Sequence, residues 1–279
     1  MKISSLRTLF HLHLSSLYEK REVDAIFFTY IEAKYNLKKY QFLLHTNDEI
    51  EFEQTDIEAL AQGLPIQYLI KKTKFFDLSL CINSSVLIPR PETEELVALV
   101  LNEQGKVSKK KVLDIGTGSG AIAIALAKNM KNAEVWVTDI SENALETAQH
   151  NAILNHVKIN FLLHDILSDS ISSLPVDVNI MVSNPPYIPI SEQTALHKNV
   201  INYEPHSALF VPDTNPLIFY NAIAETAKKI LRKGGTLYFE THEKFHSEIS
   251  EMLNKLNFKN IMHGNDINGN PRFISCKKL

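Results

Sequence analysis

The chain has 279 residues, of which 29 are Lys or Arg and 32 are Asp or Glu, giving a formal charge of -3. With 44% apolar and 22% charged residues, 9 Gly and 11 Pro, the composition is globular and excludes collagenous, low-complexity and disordered classes. No global positive field exists to draw the protein onto a phosphate backbone, and neither half is basic: 10 basic and 11 acidic residues precede Pro89, leaving 19 and 21 from there on.

The N-terminus has a basic start, but Arg7, His11 and His13 break up the apolar run a signal peptide would need. No stretch approaches the roughly 18 to 20 apolar residues of a membrane span, so a cytoplasmic chain without membrane contact is expected. Leu6, Leu9, Phe10, Leu14 and Leu17 recur at three- and four-residue steps and predict a helix. A second helix is predicted over residues 23–34. Residues 46–49 and 55–58, each Thr-x-x-Glu, read as capping boxes, and Gly63 offers a left-handed helix stop before Pro65. Residues 1–72 are expected to form a small helical domain.

Residues 74–80 and 84–88 predict two strands around Asn83, a hairpin connector over residues 73–90 that Pro89-Arg90-Pro91 ends. Beyond it, short apolar strands over 111–114, 134–139, 158–163, 178–182 and 235–240 alternate with helical stretches. This alternation predicts an α/β fold with a parallel, doubly wound sheet covered on both faces, filling residues 91–279. The last two candidates, 258–262 and 272–276, are joined by a polar loop containing Asn270-Pro271 and predict an antiparallel pair at one edge. Cys81 and Cys276 are far apart, without metal-ligand spacing, and the eleven histidines form no spaced pair, so no metal or disulfide is expected.

Chemistry concentrates at the ends of the predicted strands. Asp114-Ile115-Gly116-Thr117-Gly118-Ser119-Gly120 follows the first sheet strand and opens a helix, where glycines let the backbone turn sharply and approach a ligand closely. No Gly-Lys-[Ser/Thr] follows, so it is not a phosphate-cradling Walker loop, and its spacing differs from the dinucleotide fingerprint. Asp139 ends the second strand, where a carboxylate can hold two ribose hydroxyls; the plainer alternative is that Asp114 and Asp139 cap loops. His164-Asp165-Ile166 ends the third strand.

Asn184-Pro185-Pro186-Tyr187 follows the fourth strand. An NH2 group conjugated to a carbonyl or an aromatic ring has a delocalised lone pair and is a poor nucleophile. If the Asn184 side-chain oxygen and the Pro185 carbonyl each accept one of its hydrogens, the nitrogen is held in the geometry of its transition state. The two prolines stiffen the backbone, Pro186 removes a competing donor, and Tyr187 offers a ring on which a planar group can stack. Such a site needs neither a metal nor a covalent nucleophile.

Taken together, these stretches resemble the class I S-adenosylmethionine-dependent methyltransferases. The resemblance implies a seven-stranded Rossmann-like sheet, with Gly116, Thr117, Gly118, Ser119 and Gly120 under the methionine and ribose and Asp139 on the ribose hydroxyls. It also implies Asp165 near the adenine amine, Ile166 against the adenine face, and Asn184 bordering the cofactor as well as the methyl acceptor. Within that class, Gly63-Leu64-Pro65-Ile66-Gln67-Tyr68-Leu69, Pro89-Arg90-Pro91-Glu92-Thr93-Glu94 and Tyr203-Glu204-Pro205-His206 resemble the PrmC/HemK family of release-factor glutamine methyltransferases. The resemblance implies a release factor as protein partner, its Gly-Gly-Gln glutamine amide as methyl acceptor, and a substrate-recognising role for the helical domain. The charge balance favours a protein over a nucleic-acid substrate, and a monomer is expected. The family usually carries Glu-Ile-Gly where this chain has Glu240-Thr241-His242, and a glycine-rich stretch where it has Phe210-Val211-Pro212-Asp213-Thr214-Asn215. Alternatives are a ribosomal-protein glutamine methyltransferase, an N6-adenine nucleic-acid methyltransferase, and a non-enzymatic S-adenosylmethionine sensor. Arg90 and Glu92 either brace the site wall or pair with each other.

Overall fold

Apolar residues at helical spacing bury one stripe of each N-terminal helix. In the computed structural model, which describes residues 1–105, 109–168 and 170–279, α1 (Ile3–Leu14) buries Ile3, Leu6, Phe10 and Leu14. Facing it, α2 (Lys20–Tyr35) buries Val23, Ile26, Phe27, Tyr30 and Ile31. Phe27 sets its ring edge-on to Phe10 at 5.5 Å between centroids. A 3-10 turn (Lys39–Leu44), α3 (Gln54–Ala61) and α4 (Ile66–Ile70) complete the helical segment. Polar anchors pin it: Arg7 donates two hydrogen bonds of 3.0 Å to Asp24, and the Tyr30 hydroxyl donates to Asp56 at 2.8 Å.

Neither predicted capping box caps a helix. Residues 46–49 form a turn whose Thr46 and Asp48 carbonyls accept from the Ser4 and Ile3 amides, so this segment satisfies the orphan donors that open α1. Thr55 lies inside α3, behind Glu53, which makes no side-chain cap. Gly63 does act as the stop, with φ +93 and its amide on the Leu60 carbonyl.

The chain divides into two units. Met1–Lys72 and the return segment His197–Tyr203 form one; Thr73–Leu196 and Glu204–Leu279 form the other. The return segment lies in a stretch that linear reading gave wholly to the larger domain.

The hairpin is shorter and earlier than predicted. β1 (Lys72–Phe75) and β2 (Leu78–Cys81) both fall near the first predicted strand, joined through Phe76 and Asp77 at φ +48 and +61. Positive φ at both turn residues matches strand twist in a two-residue hairpin, yet Phe-Asp lacks the Asn-Gly signature that would announce it. Residues 84–88 form no strand; Asn83 Oδ1 instead accepts from the Ser85 amide at 2.9 Å in a local turn.

Beyond the hairpin, strands and helices alternate as expected: α5 (Pro91–Gln104), β3 (Lys111–Ile115), α6 (Ala121–Asn129), β4 (Glu134–Asp139), α7 (Glu142–Leu154), β5 (Ile159–Leu163) and β6 (Val178–Ser183). There follow β7 (Ile188–Pro189), α8 (Lys198–Tyr203), β8 (Phe210–Val211), α9 (Ile218–Ile230), β9 (Leu231–Glu240), α10 (His246–Lys255), β10 (Lys259–Asn265) and β11 (Pro271–Lys277). The main sheet has seven strands in the order β10-β11-β9-β6-β3-β4-β5. It is parallel except for β11, which runs antiparallel to β9 and β10. One face packs Val112, Val137, Ile180 and Val182 against α5 and α6; the other packs Leu113, Met181, Leu237 and Phe239 against α9 and α10. Strand order reverses at β3, whose neighbours β4 and β6 lead in opposite directions, and the carboxyl edge at such a switch is where ligands bind an open α/β sheet.

Ser141 opens α7 by accepting from the Ala144 amide at 3.2 Å. Replacing it with alanine is expected to cost about 1 kcal/mol, read as a lower urea midpoint at unchanged slope.

Candidate active site

At the end of β3 the chain must turn beneath a ligand, and three backbone donors fix that turn. The Gly116 and Thr117 amides donate to the Thr138 carbonyl at 2.9 and 3.0 Å, and the Gly118 amide donates to Asp139 Oδ2 at 2.8 Å. The other oxygen of Asp139 accepts from the Ser141 amide at 2.9 Å. Asp139 therefore ties the Gly-rich turn to the start of α7 and retains lone pairs for a ligand. Burial raises its carboxyl above the ordinary range, opposed by the Ser141, Gly118 and Ile140 amides. Asp114 lies fully buried behind the turn. Its Oδ2 accepts from the Thr117 hydroxyl at 2.7 Å while Oδ1 has no partner, and burial pushes the carboxyl up to about 7.

Gly120 begins α6 at φ +82, and a Cβ there would lie 3.0 Å from Ile124 Cδ1 and 3.1 Å from Ala148 Cβ. Left-handed backbone and close helix packing both demand glycine. Gly120→Ala is expected to lose about 1–2 kcal/mol of stability, measured by urea unfolding, with weakened ligand binding at the turn it distorts.

A cleft of about 330 Å³ opens over these residues. Gly116, Thr117, Gly118, Ser119, Asp139, Asp165, Ile166, Asn184, Pro185 and Pro186 line it together, joining pieces from the ends of β3, β4, β5 and β6. Gly120 and Tyr187 lie outside the lining. Tyr187 sits behind it, its ring edge-on to His242 at 5.7 Å. Asp165 Oδ1 caps the turn that follows by accepting from the Leu167 amide at 2.9 Å.

Several lining residues escaped sequence reading. His164 Nε2 is buried without a partner, and burial lowers its pKa. Phe210 comes from the stretch that replaces the family's glycines, and it is held by the pairing of β7 with β8. Arg90 pairs with Glu204, not Glu92; the buried Glu204 carboxylate also accepts from the Ile88 amide at 3.1 Å. The Pro-Arg-Pro and Tyr-Glu-Pro-His stretches thereby brace one wall together. Asn184 Nδ2 donates to Thr93 Oγ1 at 3.2 Å, and that hydroxyl donates to Glu240 Oε2 at 2.7 Å. Among the described residues no group of three or more His, Cys, Asp or Glu could hold a metal, and no helix is long and apolar enough to cross a membrane.

The strand order and the cleft define a class I methyltransferase. A methyltransferase from Pyrococcus furiosus shares the fold at a TM-score of 0.54 and 17% identity, over 81% of this chain and 99% of that one. The methyltransferase small domain family matches residues 93–206. The release factor glutamine methyltransferase of Flavobacterium psychrophilum is 44% identical over 98% of both chains, and that of Bacteroides thetaiotaomicron is 40% identical over 78% of each. The chain belongs to the release factor glutamine methyltransferase family.

S-adenosylmethionine is the methyl donor of this family's enzymes, and the cleft fits it. Nothing lies within 4 Å of where a Cβ would stand on Gly116 or Gly118, so the turn leaves space for a ligand against bare backbone. His164 Nε2, unsatisfied in the lining, and the Asp139 carboxylate add polar groups suited to a nucleoside.

Proposed function

We propose that this enzyme transfers a methyl group from S-adenosylmethionine to the side-chain amide nitrogen of the glutamine in the Gly-Gly-Gln motif of peptide chain release factors. The observation that carries this reading is the convergence of the Gly-rich turn, Asp139 and Asn184-Pro185 on one cleft. Near full-length similarity to a release factor glutamine methyltransferase supports the substrate class.

When bound, S-adenosylmethionine supplies an electrophilic methyl group on a sulfonium. Gly116, Thr117, Gly118 and Ser119 would hold the methionine and ribose portions, Asp139 the ribose hydroxyls, and Asp165 and Ile166 the adenine. Asn184 Oδ1 and the Pro185 carbonyl accept the two amide hydrogens of the acceptor, raising electron density on its nitrogen and fixing its direction of attack. Pro186 offers no N–H to compete. Tyr187, behind the lining, backs this wall, and Asn184 borders both ligands. The nitrogen exchanges one N–H for N–CH3, and the proton passes to water.

The helical unit of residues 1–72 is proposed to recognise the release factor. Tyr40, Leu43 and Leu44 on its 3-10 turn are 76%, 80% and 84% exposed, an apolar surface suited to a protein partner. We further propose cytoplasmic action as a monomer, since one chain lines the whole cleft. The deciding experiment is mass spectrometry of unmethylated release factor after incubation with enzyme and S-adenosylmethionine. One added methyl, absent when the Gly-Gly-Gln glutamine is replaced by alanine, supports the reading; no gain with intact cofactor binding overturns it.

A further inference from the structure

An asparagine amide is nearly symmetric in shape, so packing alone does not decide whether its oxygen or its NH2 group faces a ligand. For Asn184 the choice decides function. An oxygen turned to the cleft accepts a hydrogen of the acceptor amide, whereas an NH2 group turned there would oppose donor to donor. Two buried groups outside the Asn-Pro-Pro-Tyr motif settle the matter.

Thr93, on the first turn of α5, and Glu240, the last residue of β9, are both buried. An ionised carboxylate only accepts, so the Thr93 hydroxyl spends its single proton on Glu240 Oε2 at 2.7 Å. Its oxygen then retains only lone pairs, and what it meets at 3.2 Å is Asn184 Nδ2. Turning the Asn184 amide over would set two oxygens against each other or strip Glu240 of its donor. Either outcome leaves a buried polar group unsatisfied, which is strongly unfavourable. Tyr187, at the far end of the motif, also lies close enough to Glu240 to influence its carboxyl.

We propose that Glu240, acting through Thr93, is a positioning residue that orients the Asn184 amide with its oxygen toward the methyl acceptor. The proposal rests on the reading of Asn184 as the group that holds that acceptor. It also explains why the departure from Glu-Ile-Gly to Glu240-Thr241-His242 is tolerated: the carboxylate is kept, and His242 packs against Tyr187.

The relay has a pH signature. Burial pushes the Glu240 carboxyl up to about 7, opposed by the Thr93 hydrogen bond and the Arg272 charge, helped by the Glu92 charge, and opposed again by Tyr187. The groups facing it are Thr93 and Glu92 from α5, Tyr187 after β6, Tyr220 from α9, whose hydroxyl donates to the Glu240 carbonyl at 3.2 Å, and Arg272 from β11. A protonated Glu240 can donate to Thr93, which frees the hydroxyl proton and removes the instruction to Asn184. Turnover therefore falls as pH drops through this range.

The test compares full-length wild type with Thr93→Val, Thr93→Ser, Glu240→Gln and Asn184→Ala, using release factor as substrate and calorimetry for S-adenosylmethionine. Thr93→Val keeps the side-chain shape and is expected to lower kcat by roughly 10- to 100-fold, with KM and cofactor Kd unchanged. Thr93→Ser restores the hydroxyl and is expected to recover most of that loss. Glu240→Gln is expected to lower kcat and abolish the acid limb of its pH profile. Wild-type kcat in Thr93→Val, no rescue by serine, or an acid limb unchanged by Glu240→Gln would overturn the relay while leaving an inactive Asn184→Ala to uphold the site. An active Asn184→Ala would instead overturn the reading beneath it.

Discussion

Asn184→Ala is expected to lower the methyl-transfer rate by about 10²- to 10³-fold, equivalent to about 2.7–4 kcal/mol, while cofactor affinity stays within a few fold. The asymmetry follows from what the side chain touches. Its nitrogen is engaged by Thr93 and its oxygen is left for the acceptor, so truncation removes one of the two groups proposed to hold the reacting nitrogen. Pro185 supplies the other from its backbone and survives the substitution, which sets a floor under the remaining rate. Single-turnover mass spectrometry measures the chemical step, and calorimetry measures the cofactor. A large loss of cofactor binding would reassign Asn184 to the donor side of the cleft.

Asp139→Ala should act on the opposite substrate. If Asp139 holds the two ribose hydroxyls as proposed, losing those charge-assisted hydrogen bonds is expected to weaken S-adenosylmethionine by about 1.5–3 kcal/mol, or roughly 10- to 150-fold in Kd. The carboxylate also accepts from the Gly118 and Ser141 amides, so alanine would loosen the turn as well. Asp139→Asn separates the two effects, because it keeps an acceptor for the backbone and loses the charge. An alanine variant with unchanged Kd would remove Asp139 from the ribose site, whereas an asparagine variant intermediate between the two would show both contributions.

The residues proposed to hold the methyl donor could be placed together from the sequence because they adjoin strand ends. A Gly-rich turn after β3 and a carboxylate closing β4 are brought together by the sheet itself, through neighbouring parallel strands. Asn184-Pro185-Pro186 was legible for the same reason, directly after β6. The polar connections beneath it were not. Thr93 stands in the Pro-Arg-Pro-Glu-Thr-Glu stretch and Glu240 at a strand end, and nothing local states that one hydroxyl joins them. Arg90 had a nearer partner in Glu92 and pairs instead with Glu204, 114 residues further along the chain. The hairpin was displaced because Phe76 and Asp77 adopt a turn conformation that their identities do not advertise. The first capping box was misread because Thr46 and Asp48 serve another helix with their carbonyls.

The bond from Thr93 to Glu240 spans 147 residues and that from Asn184 to Thr93 spans 91, whereas Gly118 reaches Asp139 across 21. Loop closure grows costlier with separation, and distant pairings are made late. The two halves of the cleft therefore belong to different moments in the life of the chain. During synthesis, the Gly-rich turn can meet Asp139 once β3 and β4 are joined, but the Thr93 hydroxyl must wait for its partner until β9 has left the ribosome. A nascent chain halted before Glu240 lacks the carboxylate that takes the Thr93 proton.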